Sequence, residues 1–315
     1  VAMSQILIVH FIGHTLWDTI PLSLSKILQY FVNNGVNLFF MISGWCMIKH
    51  PIKGIVKLIV TVFLFSIINV ALCIGTGIKV EPYLVIIKTV FPITTSAYWF
   101  IKPYLLLLIL SPIINKGLNN IDLKSLRLVI ALFSVFTVYS CGIAHNICNS
   151  NGYTFGQGLY MYCLATYLRR DNILYKNLRS YWLIAGFVFL AMASGIFAIT
   201  SNLAEEHLYY NSLPNILSTT FLFLFLIRFK FQNKIVNRLG SASFGCYLLQ
   251  DGDFGNYYFY GIMHDWSQSY LKMQWIGIYT AIFVAIWVAS LLLSPIINRF
   301  ANFIASKADK HLQKL

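Results

Sequence analysis

Charge is what this chain has least of. Asp and Glu number ten in 315 residues, and Asp, Glu, Lys and Arg together make up 10% of the sequence, where an average soluble domain carries about 25%. A water-soluble fold of this length needs polar side chains over its surface, so a soluble globular protein is excluded. A cysteine scaffold is also missing. Cys46, Cys73, Cys141, Cys148, Cys163 and Cys246 form no CxxC pair and no Cys/His set at zinc spacing, and they read as small core residues. Only Cys141 and Cys148, flanking one helix end, could pair if that end faces an oxidising side. There is no low-complexity stretch, and nothing in the sequence resembles a cleavable signal peptide. The sequence opens at Val1 inside an apolar stretch, as a trimmed N-terminus would.

What is present is hydrophobic: 58% apolar residues and a mean hydropathy of +0.70. A spanning helix needs about 20 mostly apolar residues, and candidates lie near 1–17, 32–48, 54–75, 97–115, 127–147, 155–168, 182–201, 213–228, 239–259 and 274–297. The expectation is an all-α, polytopic integral-membrane helix bundle of about ten transmembrane helices. Lys and Arg cluster in alternate connections: Lys49, Lys53, Lys57; Lys116, Lys124, Arg127; Arg169, Arg170, Lys176, Arg179; Arg228, Lys230, Lys234, Arg238; and Arg299, Lys307, Lys310, Lys314. The other set holds only Lys26, Lys79, Lys88 and Lys272, while Asp18, Glu81, Glu205, Glu206, Asp251, Asp253 and Asp265 lie opposite the basic set. Short cytoplasmic loops carry the positive excess, so this pattern places both termini in the cytoplasm. It also accounts for most of the formal charge of +13 without nucleic acid.

Two segments read as lying along the membrane. From Arg299 to Leu315, Phe300, Phe303, Ile304, Ala308 and Leu312 share one face, as in an interfacial helix, so a domain over 1–298 is expected to be followed by an amphipathic cytoplasmic tail over 299–315. Residues 80–96 are broken by Pro82, Pro92 and charges, which suits an outer-face or re-entrant segment. The pentapeptide SPIIN occurs at 111–115 and again at 294–298, too short a match to argue a duplication.

Ionisable side chains inside spans are costly and therefore candidates for function. His10 and His14 stand four apart, on one face of the first helix, and a neutral imidazole is a natural general base. Alternatively, the two histidines hydrogen-bond between helices. No acidic or sulfur ligand has the spacing for a metal, and none is expected. In the second helix, Ser43 and Gly44 allow close helix approach. Tyr98, Trp99 and Phe100 form an aromatic cluster that by itself is an ordinary interfacial belt. Tyr257, Tyr258, Tyr260, Trp266 and Tyr270 crowd near Asp251, Asp253 and Asp265, where a sugar could stack, although membrane anchoring explains the aromatics as well.

Taken together these pieces resemble the integral-membrane acyltransferase-3 family, which O-acylates bacterial surface polysaccharides and other exported molecules. The resemblance covers most of the chain. It rests on Ile6 to Phe11 (ILIVHF), Gly35 to Gly44 (GVNLFFMISG), the basic connection Lys49, Lys53, Lys57, the stretch from Tyr98 to Asn115, Tyr167-Leu168-Arg169-Arg170, and Leu239 to Leu249 (LGSASFGCYLL). The resemblance implies transfer of an acyl group, usually acetyl, from cytoplasmic acyl-CoA to a saccharide hydroxyl at the bacterial plasma membrane, with no metal. It implies His10 as the catalytic residue with His14 beside it, Lys49, Lys53 and Lys57 at the CoA phosphates, and Asn37, Ser43, Tyr98, Trp99 and Gln250 as substrate-binding candidates. His10 could act as a base or as the acyl carrier.

There are departures from the family pattern. The family's Arg eleven residues before the catalytic His would fall ahead of Val1. Its arginine-rich connection is Lys here, which contacts phosphate as a point charge. Gln250 stands where many members have His, and it can hydrogen-bond but not act as a base. A transporter or flippase of lipid-linked saccharide, with His10 coupling protons, is the alternative reading.

Overall fold

The computed structural model describes residues 1–15, 22–77, 87–95, 98–142, 150–171, 176–200, 209–229, 233–252, 255, 260–269 and 272–312. The described residues are helical throughout and contain no strand. In chain order the helices are α1 (Ala2–Thr15), α2 (Leu22–Val32), α3 (Gly35–Cys46), α4 (Pro51–Gly75), α5 (Ile101–Asn120), α6 (Leu123–Gly142), α7 (Phe155–Asp171), α8 (Ser180–Thr200), α9 (Leu213–Leu226), α10 (Lys234–Gln250), α11 (Gly261–Ser269) and α12 (Lys272–Leu312). By length and apolar composition, α4, α5, α8 and the stretch Gly277–His311 of α12 can each cross a membrane, and α9 is a shorter apolar helix. Their outward residues, such as Phe63 and Ile67 on α4, Phe189 and Ile196 on α8 and Leu292 on α12, are large and exposed, as suits lipid rather than water.

Local sequence explains the helix ends. Pro51 occupies the first turn of α4, where a missing N–H costs nothing. At its other end Thr76 N–H bonds Leu72 O at 3.0 Å, and Gly77 turns the chain at φ +74°. Ser212 and Asn233 cap α9 and α10 through their side-chain oxygens. Asp122 does the same for α6, accepting from Ser125 N–H at 2.9 Å.

Both SPIIN prolines lie inside helices, Pro112 in α5 and Pro295 in α12. Pro112 deprives Leu108 O of its usual donor, and the Ser111 hydroxyl supplies one instead at 2.8 Å. In the second copy Ser294 pairs with Ser290 at 3.1 Å, and Ser290 Oγ lies 2.6 Å from Ala242 O of α10. The helix therefore survives its proline. The sequence suggests a last span ending near 297 and a separate interfacial helix. The structure has one helix running through Pro295 to Leu312, because nothing after Asn298 breaks or caps it.

The chain divides into two compact units. The first comprises Val1–Val9, Ile20–Lys49 and Leu106–Lys230. In it α3 packs on α7 and α9, α7 on α6, and α8 on α2 and α9. The expected helix over 32–48 appears as α3 alone, with α2 as a separate helix before it, and a turn at Asn33 and Asn34 divides them.

That turn is anchored by buried carboxamides. Asn215 Nδ2 donates to Asn33 O at 3.0 Å, and Ser218 and Thr219 each donate to Asn34 Oδ1 at 2.8 Å. One turn on, Asn37 donates to Tyr210 O at 2.8 Å and to Asn215 Oδ1 at 3.0 Å, while Gln157 donates to Asn37 Oδ1 at 3.0 Å. Asn37 is thus a strut inside this unit. Ser43 donates to Phe39 O of its own helix at 3.0 Å.

The basic residues of α7 close helix ends in this unit. Arg169 reaches Trp45 O at the end of α3, and Arg170 reaches Ile121 O at 2.8 Å just past α5. Both are favourable places for cations.

The second unit comprises His10–Thr19, His50–Leu105 and Phe231–Leu315. In it α4, α10 and α12 pack mutually, with α11 against α12. Gly245 sits where a Cβ would meet Ser294 Oγ at 2.4 Å and Phe65 at 2.8 Å, so only glycine permits this approach of the three helices.

In the first unit, a Cβ on Gly44 would lie 2.2 Å from Tyr162 O, a backbone atom that cannot move aside. Gly44→Ala is therefore expected to destabilise the protein by about 1–3 kcal/mol, typical of overpacking. Thermal unfolding in detergent is the check. An unchanged midpoint would show that the α3 and α7 backbones are not in close contact.

Candidate active site

His10 and His14 stand one turn apart on α1, and their rings meet edge to face with centroids 5.8 Å apart. His14 is exposed, while the His10 side chain retains 17% exposure. Facing His10 is Asp251, the residue after α10, whose own N–H closes that helix on Tyr247 O at 3.0 Å. His10 Nδ1 lies 3.9 Å from Asp251 Oδ1. That is too long for a hydrogen bond and close enough for strong electrostatic coupling. His10 Nδ1 is buried and has no hydrogen-bond partner among the described residues. Buried polar atoms are usually partnered, and this one lies open beside a carboxylate.

Tyr260 joins this pair to the end of α10. Its ring stacks on His14 at 4.9 Å and stands 6.4 Å from the His10 ring, and its hydroxyl donates to Gln250 Oε1 at 2.8 Å. Gln250 is wholly buried. Two sequence candidates, His10 and Gln250, are therefore linked through His14 and Tyr260 within the second unit.

The end of α10 is held from α4. Asn69 Nδ2 lies 2.9 Å from Leu248 O, 3.1 Å from Tyr98 Oη and 3.0 Å from Phe65 O, and Tyr98 donates to Leu248 O at 3.3 Å. Tyr98 is buried, with its ring beside Tyr247 at 6.0 Å, so its hydroxyl acts as a brace on the turn that carries Gln250 and Asp251. Trp99 is half-buried with an edge contact to Phe100. A Cβ on Gly252 would meet Asn69 at 2.7 Å, and one on Gly255 would meet Gln250 O at 1.9 Å. Glycine at these two positions lets the chain fold back over the helix end.

Lys53 and Lys57 occupy the first two turns of α4, four apart and hence on one face, and both are half-buried. Lys49 is exposed in the connection before α4. Asn37 and Ser43 belong to the first unit, with the partners given above. Tyr257, Tyr258, Tyr270, Asp253 and Cys148 lie outside the described residues, as do 80–86 and the last three residues. Among the described residues no three of His, Cys, Asp and Glu gather as metal ligands would.

Sequence reasoning did not single out Asn69, although a carboxamide inside the apolar run of α4 is itself a signal. Asp251 and Tyr260 stood out only as members of an acidic and aromatic patch. No sequence feature separates Tyr260 from its tyrosine neighbours.

Replacing Asn69 by Leu would leave the Leu248 carbonyl and the Tyr98 hydroxyl without their amide. The expected loss is about 1–3 kcal/mol of stability, with a parallel smaller loss for Tyr98→Phe. Thermal unfolding of both variants in detergent checks this, and midpoints equal to wild type would exclude the brace.

Neither the curated proteins nor the solved structures compared with this chain give a match. Among protein families, the acyltransferase domain of the acyltransferase-3 type matches residues 1–298, from the start of the sequence to the end of the SPIIN motif in α12. A match of that extent includes both α1 with its histidines and α10 with its terminal Gln250 and Asp251, and the chain belongs to the acyltransferase-3 family of membrane acyltransferases.

Proposed function

We propose that this acyltransferase takes its acyl group, acetyl in the simplest case, from acyl-CoA and transfers it to a hydroxyl of a cell-surface or exopolysaccharide saccharide. In this reading the chain crosses a bacterial plasma membrane about ten times, with both termini cytoplasmic, as the alternation of basic connections suggests. The observation that carries the reading is the His10–Asp251 pair: an imidazole on a membrane helix whose Nδ1 faces a carboxylate at 3.9 Å.

That arrangement suits acyl transfer. With Asp251 favouring the tautomer protonated at Nδ1, the His10 Nε2 lone pair is available to a hydroxyl. The acceptor oxygen gives its proton to Nε2 and bonds to the thioester carbonyl carbon, whose π electrons move onto oxygen. As the carbonyl re-forms, the C–S bond breaks, and the CoA thiolate takes the proton from the imidazolium. If His10 carries the acyl group instead, the same nitrogen attacks first and CoA leaves as thiolate; the acceptor oxygen then bonds to the acyl carbon as its C–N bond to His10 breaks, and the hydroxyl proton passes to the thiolate. Asp251 stabilises the imidazolium in either route. Lys53 and Lys57, paired on one face of α4, supply positive charge for the CoA phosphates.

O-acetyl groups counted by NMR on surface polysaccharide should disappear in a deletion strain and in His10→Ala, with polymer yield unchanged. Asp251→Asn should reduce transfer by about 10²-fold or more. Unchanged acetylation with reduced surface polymer would instead identify a transporter. In purified protein, Lys53→Gln with Lys57→Gln should raise KM for acyl-CoA about tenfold and leave kcat within about twofold, the loss of one charge-assisted contact or more. An unchanged KM would remove these lysines from the donor site.

A further inference from the structure

We infer that Gln250 is a catalytic residue whose Nε2 donates to the carbonyl oxygen of the transferring acyl group as negative charge develops there. This rests on the acyl-transfer reading above and assigns Gln250 to the reacting carbonyl rather than to the saccharide.

The side chain of Gln250 is wholly buried at the last position of α10. One end of its amide is engaged, since Tyr260 Oη donates to Oε1 at 2.8 Å. The other end is not: Nε2 is buried and has no hydrogen-bond partner among the described residues. A buried amide N–H without an acceptor is destabilising, and an apolar side chain would fill the same space without that penalty.

The surroundings are those of the chemistry. Asp251, the next residue, faces His10 Nδ1 at 3.9 Å, and Tyr260, which holds the Gln250 oxygen, stacks on His14 at 4.9 Å. With the Tyr260 hydroxyl donating to Oε1, the NH2 is the end of the amide directed elsewhere. Gly255 folds over Gln250 O so closely that a Cβ would stand 1.9 Å away, and Gly252 packs on Asn69. The backbone of Gln250 is thus packed from above, and its side chain is held by burial and by Tyr260 before any substrate arrives, the condition under which such a donor favours the transition state over the ground state.

In the reaction, the nucleophile bonds to the carbonyl carbon and the π pair moves to oxygen, which accepts the Nε2–H hydrogen bond. No proton leaves Gln250. When the C–S bond breaks and the carbonyl re-forms, the hydrogen bond weakens to its ground-state strength. Tyr260 acts as a positioning residue through the amide.

The test uses the purified full chain in detergent or nanodiscs with acetyl-CoA, reading free CoA thiol with and without a saccharide acceptor. Gln250→Met keeps the volume and removes the donor. It should lower kcat by about 10²–10³-fold, the range for removing one oxyanion donor, with KM for acetyl-CoA and acceptor within about twofold and an unchanged unfolding midpoint. Gln250→His, which retains an N–H, should restore at least a tenth of wild-type kcat. Tyr260→Phe leaves Gln250 in place and frees its amide to rotate, and it should lower kcat by about tenfold at unchanged KM. This variant also decides the matter if Gln250→Met does not fold.

A rise in acceptor KM at unchanged kcat would overturn the assignment and return Gln250 to the saccharide. Equal kcat in Gln250→Met and wild type would also overturn it. If wild type releases no CoA from any acyl-CoA while remaining folded, the acyl-transfer reading itself fails, a result distinct from either of those.

Discussion

Inside a bilayer no water is available to a polar group, so every amide, hydroxyl and imidazole that this chain buries must find its partner in protein or wait for a ligand. The structure follows from how that constraint is met. Where helices lose backbone bonds, as at Pro112, a neighbouring serine replaces the donor. Where the chain must turn between α2 and α3, Asn33 and Asn34 receive bonds from Asn215, Ser218 and Thr219. Where helices end on the basic side, Arg169 and Arg170 take up terminal carbonyls.

The same constraint shows which side chains are satisfied within the fold and which keep an open polar atom. Asn37 has its amide oxygen and nitrogen both engaged, and Tyr98 is held between Asn69 and Leu248 O. These side chains meet their needs within the fold. His10 Nδ1 and Gln250 Nε2 have no partner among the described residues, and they are connected to one another through Asp251, Tyr260 and His14. A fully satisfied polar group has nothing further to offer a changing charge, whereas an open one does.

Glycine has a matching role. At Gly44, Gly245, Gly252 and Gly255 the neighbouring atoms stand where a Cβ would be. The first two bring helices together, and the last two press the chain after α10 onto the site. Close approach of this kind is how helices associate in lipid, where no hydrophobic force drives them together.

Much of this was legible in the chain itself. Scarce charge with long apolar runs meant membrane helices, since only helices and closed barrels satisfy their own backbone in lipid. His10 and His14 at a spacing of four had to share a face, and GVNLFFMISG with its neighbours pointed to the family that residues 1–298 match. What composition and spacing could not provide was pairing between residues far apart in sequence. That Asp251 faces His10, that Tyr260 stacks on His14, and that Asn69 braces Tyr98 are outcomes of packing. So is the division of labour between Asn37, engaged on every side, and Gln250, engaged on one. A side chain's type and periodicity are local properties, whereas its hydrogen-bond partners are set by which helix arrives opposite, and only the tertiary structure decides that.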